Sequence, residues 1–122
     1  MIRRVFPSML ALLASPAFAQ ADEIDPVPAH ALIGHGYFTE STPSQILFIN
    51  VRARPVRILW VGFDGSEHLY DELAEGQQLL QPTFVGHRWL IRDSISGEPL
   101  EGFISTPAAA RSTGTPQIAL IR

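Results

Sequence analysis

The chain has 122 residues, of which 46% are hydrophobic and 17% charged, and its 9 basic against 12 acidic side chains give a formal net charge of −3. This length and composition predict one globular domain. The acidic balance argues against nucleic acid as a partner. Cysteine is absent, so the domain has neither a disulfide framework nor a cysteine nucleophile.

Residues 1–19 have the pattern of a secretory signal peptide. Arg3 and Arg4 supply the charged start, Met9–Ala14 the apolar centre, and a small-x-small cleavage site ends at Ala19 in a form typical of bacterial export. The apolar run is far shorter than the ~20 residues of a spanning helix. The sequence therefore predicts an exported protein, periplasmic or secreted, with no membrane insertion after signal cleavage. Loss of the two arginines takes the formal charge from −3 to −5.

The composition of residues 20–43 predicts that they form an extended N-terminal arm. The segment is interrupted by prolines and glycines, and its only apolar pieces are Ala31–Ile33 and Tyr37–Phe38. Such a composition favours an irregular chain that adds at most a short edge strand. The β domain itself is expected over residues 44–122.

The first two strands are predicted from different apolar patterns. Gln45–Val51 is β-branched and aromatic on both faces, which is typical of a buried strand. Val56–Phe63 alternates, so one face carries Leu59, Val61 and Phe63, and the other carries Val56, Ile58 and Trp60. Alternation therefore predicts that Trp60 and Phe63 point in opposite directions.

The remainder of the chain is divided by turn signals. Asp64-Gly65 is a strong turn pair, and glycines recur at about ten-residue intervals, including one at position 114. Only Tyr70–Ala74 resembles an amphipathic helix. Further strands are predicted over residues 76–83, 88–92, 100–106 and 117–121. The spacing is typical of an all-β protein, a small antiparallel β-sandwich.

The catalytic motifs of common enzyme classes are absent. The sequence contains no Gly-x-Ser-x-Gly elbow, no phosphate-binding glycine loop and no His-Glu-x-x-His motif. His30, His35, His68 and His87 do not have the spacing of a zinc site. No catalytic residue, metal or cofactor is predicted, and the protein is not expected to be an enzyme; His87 is the only plausible base.

An aromatic constellation offers a better candidate site. His87 and Trp89 are two apart and point the same way on a strand, while the break at Gly86 lets the chain bend and bring Thr83 beside His87. Trp60 and Tyr70 are the other large aromatic residues of this region. The alternative is that these rings are core or cross-strand pairs, as large aromatics commonly are.

The motifs in order closely resemble the β domain of the von Hippel-Lindau tumour suppressor family. Pro43–Asn50 is similar to its opening strand, Trp60–Tyr70 to its central hairpin, Gly86–Asp93 to its most recognisable stretch, and Pro116–Ile121 to its closing strand. The resemblance covers roughly residues 37–122. It implies a binding module of the same β-sandwich fold.

The resemblance also implies a ligand-binding site. That family holds a hydroxyproline-containing peptide with a Trp, a Tyr, a Ser, and a His and Trp two apart. These positions fall on Trp60, Tyr70, Thr83, His87 and Trp89, with a threonine hydroxyl in place of a serine hydroxyl. The resemblance implies that the rings enclose the pyrrolidine, that Thr83 and His87 bind its hydroxyl, and that Tyr70 holds the peptide backbone.

The sequence differs from the family's pattern in two respects, and two alternative functions remain open. The family's helical domain, which recruits a ubiquitin-ligase adaptor, has no counterpart before the sequence ends at Arg122, so no ubiquitin-ligase adaptor is expected as a partner. The polar residues that flank the family's pocket are not evident either. The rivals are a carbohydrate-binding module, in which Trp60 and Tyr70 stack on sugar rings, and a structural or oligomerisation domain that pairs through an edge strand or the arm.

Overall fold

A computed structural model describes residues 22–107 and 115–122. The signal peptide predicted over residues 1–19 and the turn predicted at position 114 lie outside the described residues. The strands are β1 (Pro43–Asn50), β2 (Val56–Val61), β3 (Glu67–Leu73), β4 (Gln78–Phe84), β5 (Arg88–Asp93), β6 (Pro99–Ile104) and β7 (Gln117–Ile121). The predicted all-β class is confirmed.

The strands form a four-stranded sheet of order β3-β2-β5-β6 and a three-stranded sheet of order β4-β1-β7. Every pairing is antiparallel except β1 with β7, which run parallel. The predicted sandwich is therefore confirmed, and the expectation of purely antiparallel strands is wrong for one pair. Parallel neighbours cannot be joined by a tight hairpin, and β7 pairs with a strand far from it in sequence.

The core lies between the two sheets and follows the predicted alternation. Phe48, Ile58, Trp89 and Phe103 are buried there, and the two phenylalanine rings meet edge to face at 6.2 Å between centroids. The prediction for Phe63 is wrong, because β2 ends two residues earlier and the chain has already begun to turn. Its ring packs edge-on against Trp60, 5.9 Å away, instead of pointing to the opposite side.

The N-terminal arm packs on the outer face of the four-stranded sheet. It contains a short 3-10 helix, Ala29–Ala31, and buries Leu32 almost completely beside Leu59 and Leu90. Gly102 of β6 makes this approach possible, since a Cβ there would lie 2.3 Å from Leu32 Cδ1. Single β-bridges also connect the arm to β7 and β6. The arm thus gives the small domain a second apolar cluster.

Tyr70–Ala74, the one stretch that resembled a helix, is not helical. Tyr70 through Leu73 belong to β3, which pairs with β2. The register shifts so that Ile58 faces Asp71 and Leu59 faces Leu69, leaving Tyr70 as an extra, unpaired residue. The β-bulge disturbs strict alternation in β3. A helix-like pattern over only five residues is too short to form a stable helix in competition with sheet pairing.

Candidate functional site

A pocket opens between the two sheets on the side where β3 and β4 form their edges. Its volume is about 230 Å³. All five predicted site residues line it: Trp60, Tyr70, Thr83, His87 and Trp89. Two further lining residues, Pro82 and Phe84 of β4, were not predicted from the sequence. The pocket is smaller than the roughly 300–1,000 Å³ typical of sites for drug-sized ligands, and this size suits one small ring.

The two tryptophans are cross-strand partners on β2 and β5. Trp89 is 1% exposed and packs edge to face against Phe48 of the core at 5.7 Å between centroids, so it is both a core residue and the pocket's inner wall. Its indole Nε1–H donates to Thr83 Oγ1 at 3.1 Å. This bond joins β5 of one sheet to β4 of the other directly beside the pocket.

Thr83 is buried and keeps bonding capacity toward the pocket. Its hydroxyl accepts one hydrogen bond from Trp89, but a hydroxyl has a second lone pair and a proton of its own. The expected proximity to His87 holds in that both line the same pocket, although the hydroxyl bonds the indole of Trp89. The Thr83 hydroxyl can therefore serve a ligand while it holds the indole in place.

His87 is oriented by Trp60. The indole Nε1–H of Trp60 donates to His87 Nδ1 at 3.0 Å, and the two ring planes are inclined by only 28°. Because Nδ1 accepts, the network assigns the neutral imidazole a proton on Nε2. Burial lowers the pKa of His87, which favours this neutral form. Within the described parts of the chain no group bonds Nε2, so its N–H is available to a ligand.

Tyr70 forms the exposed side of the pocket. Its ring stands nearly perpendicular to Trp89, with 5.0 Å between centroids, and half of the side chain is exposed. The bulge in β3 supplies this position, because a bulged residue is freed from the regular pairing and its side chain can be re-aimed. Tyr70 therefore lines the pocket with a ring that is half exposed to solvent.

A tight turn sets the position of His87. His87 N donates to Phe84 O at 3.0 Å, and Gly86 has φ of +86° at the third position, the arrangement of a type II turn. A Cβ on Gly86 would lie 2.2 Å from Thr39 Oγ1. Thr39 uses that hydroxyl to donate to Val85 O at 2.6 Å. Glycine thus permits both the turn and the close approach of the arm.

The arm forms one wall of a second, larger pocket beside the first. This pocket has a volume of about 640 Å³ and shares Phe84 and His87 with the smaller one. Phe38 and Glu40 come from the arm, and Phe63 comes from the turn after β2. We call the smaller cavity the ring pocket and the larger one the aromatic groove.

None of the three phenylalanines of the groove, Phe38, Phe63 and Phe84, was selected from the sequence as a site residue. Phe63 was assigned by alternation to the face opposite Trp60, and Phe84 is the last residue of β4. Both rings in fact contact the His87 ring, at 5.3 and 5.2 Å between centroids. The available signal was the turn pair Asp64-Gly65, since a strand that ends before Phe63 cannot hold it in the strand's alternation.

Metal ligands and membrane-spanning helices are two other features that bear on function. Among residues 22–107 and 115–122, no three acidic or histidine side chains are grouped in a way that could hold a metal ion. Over those same ranges, no helix has the length and apolar character needed to cross a membrane. The arrangement that the described residues do form is an aromatic cavity that is also lined by the Thr83 hydroxyl and the His87 imidazole.

A two-sheet sandwich with such a cavity at its open edge places the chain in the class of β-sandwich domains. Residues 38–104, more than half of the chain, match the family described as the VHL beta domain. The chain therefore belongs to the VHL beta domain family. In the von Hippel-Lindau protein this domain is a non-catalytic binding domain that holds a hydroxyproline-containing peptide.

Proposed function

We propose that this protein is an exported binding module that recognises a peptide or protein through a 4-hydroxyproline ring held in the ring pocket. One observation carries the proposal. Thr83 and His87 present a hydroxyl and an Nε2–H that are only partly used by the protein itself, inside a cavity walled by Trp60, Tyr70 and Trp89. Aromatic walls suit a saturated ring, and two polar groups suit one ligand hydroxyl.

The hydrogen-bond capacity of the two polar groups matches that of a hydroxyl. A ligand hydroxyl has one proton to donate and two lone pairs to accept with. The His87 Nε2–H donates to the ligand oxygen, and the ligand proton goes to the second lone pair of Thr83 Oγ1. Because Trp60 and Trp89 fix the partners from behind, neither group has to reorganise when the ligand enters.

Selectivity for the hydroxylated ring follows from the same contacts. Unmodified proline would fill the cavity but would leave Thr83 and His87 cut off from water without partners. Sites built to pair a substrate hydroxyl can reject the analogue that lacks it by about 10⁴-fold or more. His87 is only half-buried, so we expect a smaller ratio here, on the order of 10²-fold.

We propose that the module acts after export and cleavage near Ala19. The support is the charged start, short apolar centre and small-x-small end of residues 1–19. An exported partner carrying hydroxyproline is the corresponding ligand class. Intact mass of the protein recovered from the periplasm or medium tests this step. A mass equal to that of a chain starting at residue 20 supports export with cleavage, and a full-length protein confined to the cytoplasm contradicts it.

Calorimetric titration with paired peptides tests the binding function. The peptides have the same sequence and differ only in proline against 4-hydroxyproline at one position. Binding of the hydroxylated peptide alone supports the proposal, and His87→Ala should abolish it at little cost in stability. Equal binding of both peptides would contradict it. If neither binds, glycan arrays and concentration-dependent mass in solution test the carbohydrate-binding and oligomerisation alternatives.

A further inference from the structure

We propose that the aromatic groove binds an arginine side chain that lies within one or two residues of the hydroxyproline in the same peptide. This inference rests on the proposed function for the ring pocket and adds a sequence preference to it. Its basis is the combination of exposed aromatic rings and one carboxylate in a cavity that shares a wall with the ring pocket.

The groove exposes three phenylalanine rings to solvent. Phe38 is 91% exposed, Phe63 47% and Phe84 39%. All three line the same cavity of about 640 Å³. Large apolar surfaces left in contact with water commonly mark binding sites. The rings of Phe63 and Phe84 both contact His87, so the groove begins where the ring pocket ends.

The groove is held in shape from behind by Tyr37. The Tyr37 and Phe63 rings meet edge to face at 5.2 Å, and the Tyr37 hydroxyl donates to Val61 O. Arg88 covers the Tyr37 ring, with its guanidinium carbon 4.5 Å from the centroid. Because Tyr37 supports Phe63 in this way, this wall of the groove is already in place before a ligand binds.

Glu40 is the charged residue of the groove and decides which ligand fits. The ion pairs between described residues are Arg54 with Asp93, Arg92 with Glu67, and Arg122 with Glu23, none of which involves Glu40. A carboxylate beside aromatic rings is complementary to a cation that can also stack on a ring face. The excess of acidic over basic residues in the whole chain favours the approach of a cationic ligand as well.

Arginine fits this combination better than the other side chains. Its planar guanidinium can stack on an aromatic face while two parallel N–H groups bond a carboxylate. Lysine offers only a strongly hydrated point charge, and an aliphatic side chain offers the exposed Glu40 carboxylate neither a charge nor a hydrogen bond. An extended peptide advances about 3.3 Å per residue, so a long side chain one or two residues from the ring reaches the adjoining cavity.

Peptide pairs with one hydroxyproline test the inference by calorimetry on the whole protein. One member carries arginine at a position one or two residues before or after the ring, and its partner carries citrulline, which has nearly the same shape without the charge. We expect arginine to strengthen binding about tenfold at one of these positions. Glu40→Gln should remove that advantage. Glu75→Gln, an equal change of charge in the turn between β3 and β4, should retain it.

The outcomes separate this inference from the proposed function. Hydroxyproline dependence with equal binding of arginine and citrulline overturns the arginine site and leaves the ring pocket intact. An arginine advantage that Glu40→Gln removes, without any hydroxyproline dependence, supports the groove and overturns the ring pocket. An arginine advantage that survives Glu40→Gln but disappears in Glu75→Gln places the cation elsewhere and also overturns the inference.

Discussion

Replacing Thr83 by valine tests the bond that joins the two sheets beside the ring pocket. Valine keeps the branched shape and the strand preference of threonine but has no hydroxyl. Trp89 is 1% exposed and Thr83 is 5% exposed, so the indole N–H is left buried without its partner. A buried polar group without a partner costs about 1–3 kcal/mol, so we expect a loss near 2 kcal/mol in the free energy of unfolding.

Thr83→Ser is the matched control. It keeps the hydroxyl and removes one buried methyl group, which costs about 0.8 kcal/mol by transfer alone. The predicted order of stability is therefore wild type, serine variant, valine variant. For a domain of this size 1 kcal/mol shifts Tm by about 4–8 °C, so the valine variant should melt roughly 8–16 °C below the wild type.

Thermal melts by circular dichroism and urea unfolding measure the order, and peptide titration adds a second readout. The serine variant should keep its preference for hydroxyproline over proline, whereas the valine variant should lose most of it. A valine variant within about 0.5 kcal/mol of the wild type, or above the serine variant, would refute the reasoning, because surface-like substitutions fall within that range. The Trp89 indole would then have another partner.

Three further predictions follow from the turn, the imidazole and the arm. Gly86→Ala forces a Cβ onto Thr39 and a left-handed conformation, so we expect a loss of at least about 1–2 kcal/mol by chemical unfolding and weaker peptide binding; unchanged values would contradict the turn geometry. Burial lowers the pKa of His87, so the stability from its neutral form is fully present above the ordinary pKa of about 6.5 and is lost as pH falls through the lowered value. Melts of wild type and His87→Gln between about pH 8 and about pH 5 should show a steeper decline for the wild type, and parallel curves would count against it. Leu32→Ala should cost about 2–4 kcal/mol if the arm is part of the core, and a loss under about 0.5 kcal/mol would show that the arm is not needed.

The sequence predicted most of the sheet because strand alternation and glycine turns are local signals. The inward face of β2 follows from a two-residue period, and β1 follows from a run that is apolar on both faces. The glycine at position 86 marks the turn that places His87 just before β5. The parallel pairing of β1 with β7 could not be predicted in this way. It depends on residues far apart in the chain, and alternation does not encode strand direction.

The errors in the site have local physical causes. Tyr70 lies at a bulge, where a strand departs from its own period, and Phe63 lies beyond a strand end that was placed two residues too late. The aromatic groove was missed because one wall comes from the arm. Nothing in the sequence around Thr39 indicates that it approaches Gly86, since that contact requires the folded turn.

The most direct test of the ring pocket uses the two tryptophans as reporters. The chain has 2 Trp, and both indole N–H groups bond the polar residues of the pocket, to His87 and to Thr83. An ¹⁵N-labelled sample should therefore give two indole signals in a proton–nitrogen NMR spectrum. Titration with a hydroxyproline peptide is predicted to shift both signals at concentrations where the matched proline peptide shifts neither. Saturable binding of the hydroxylated peptide that leaves both indole signals in place would contradict the assignment of this pocket as the site.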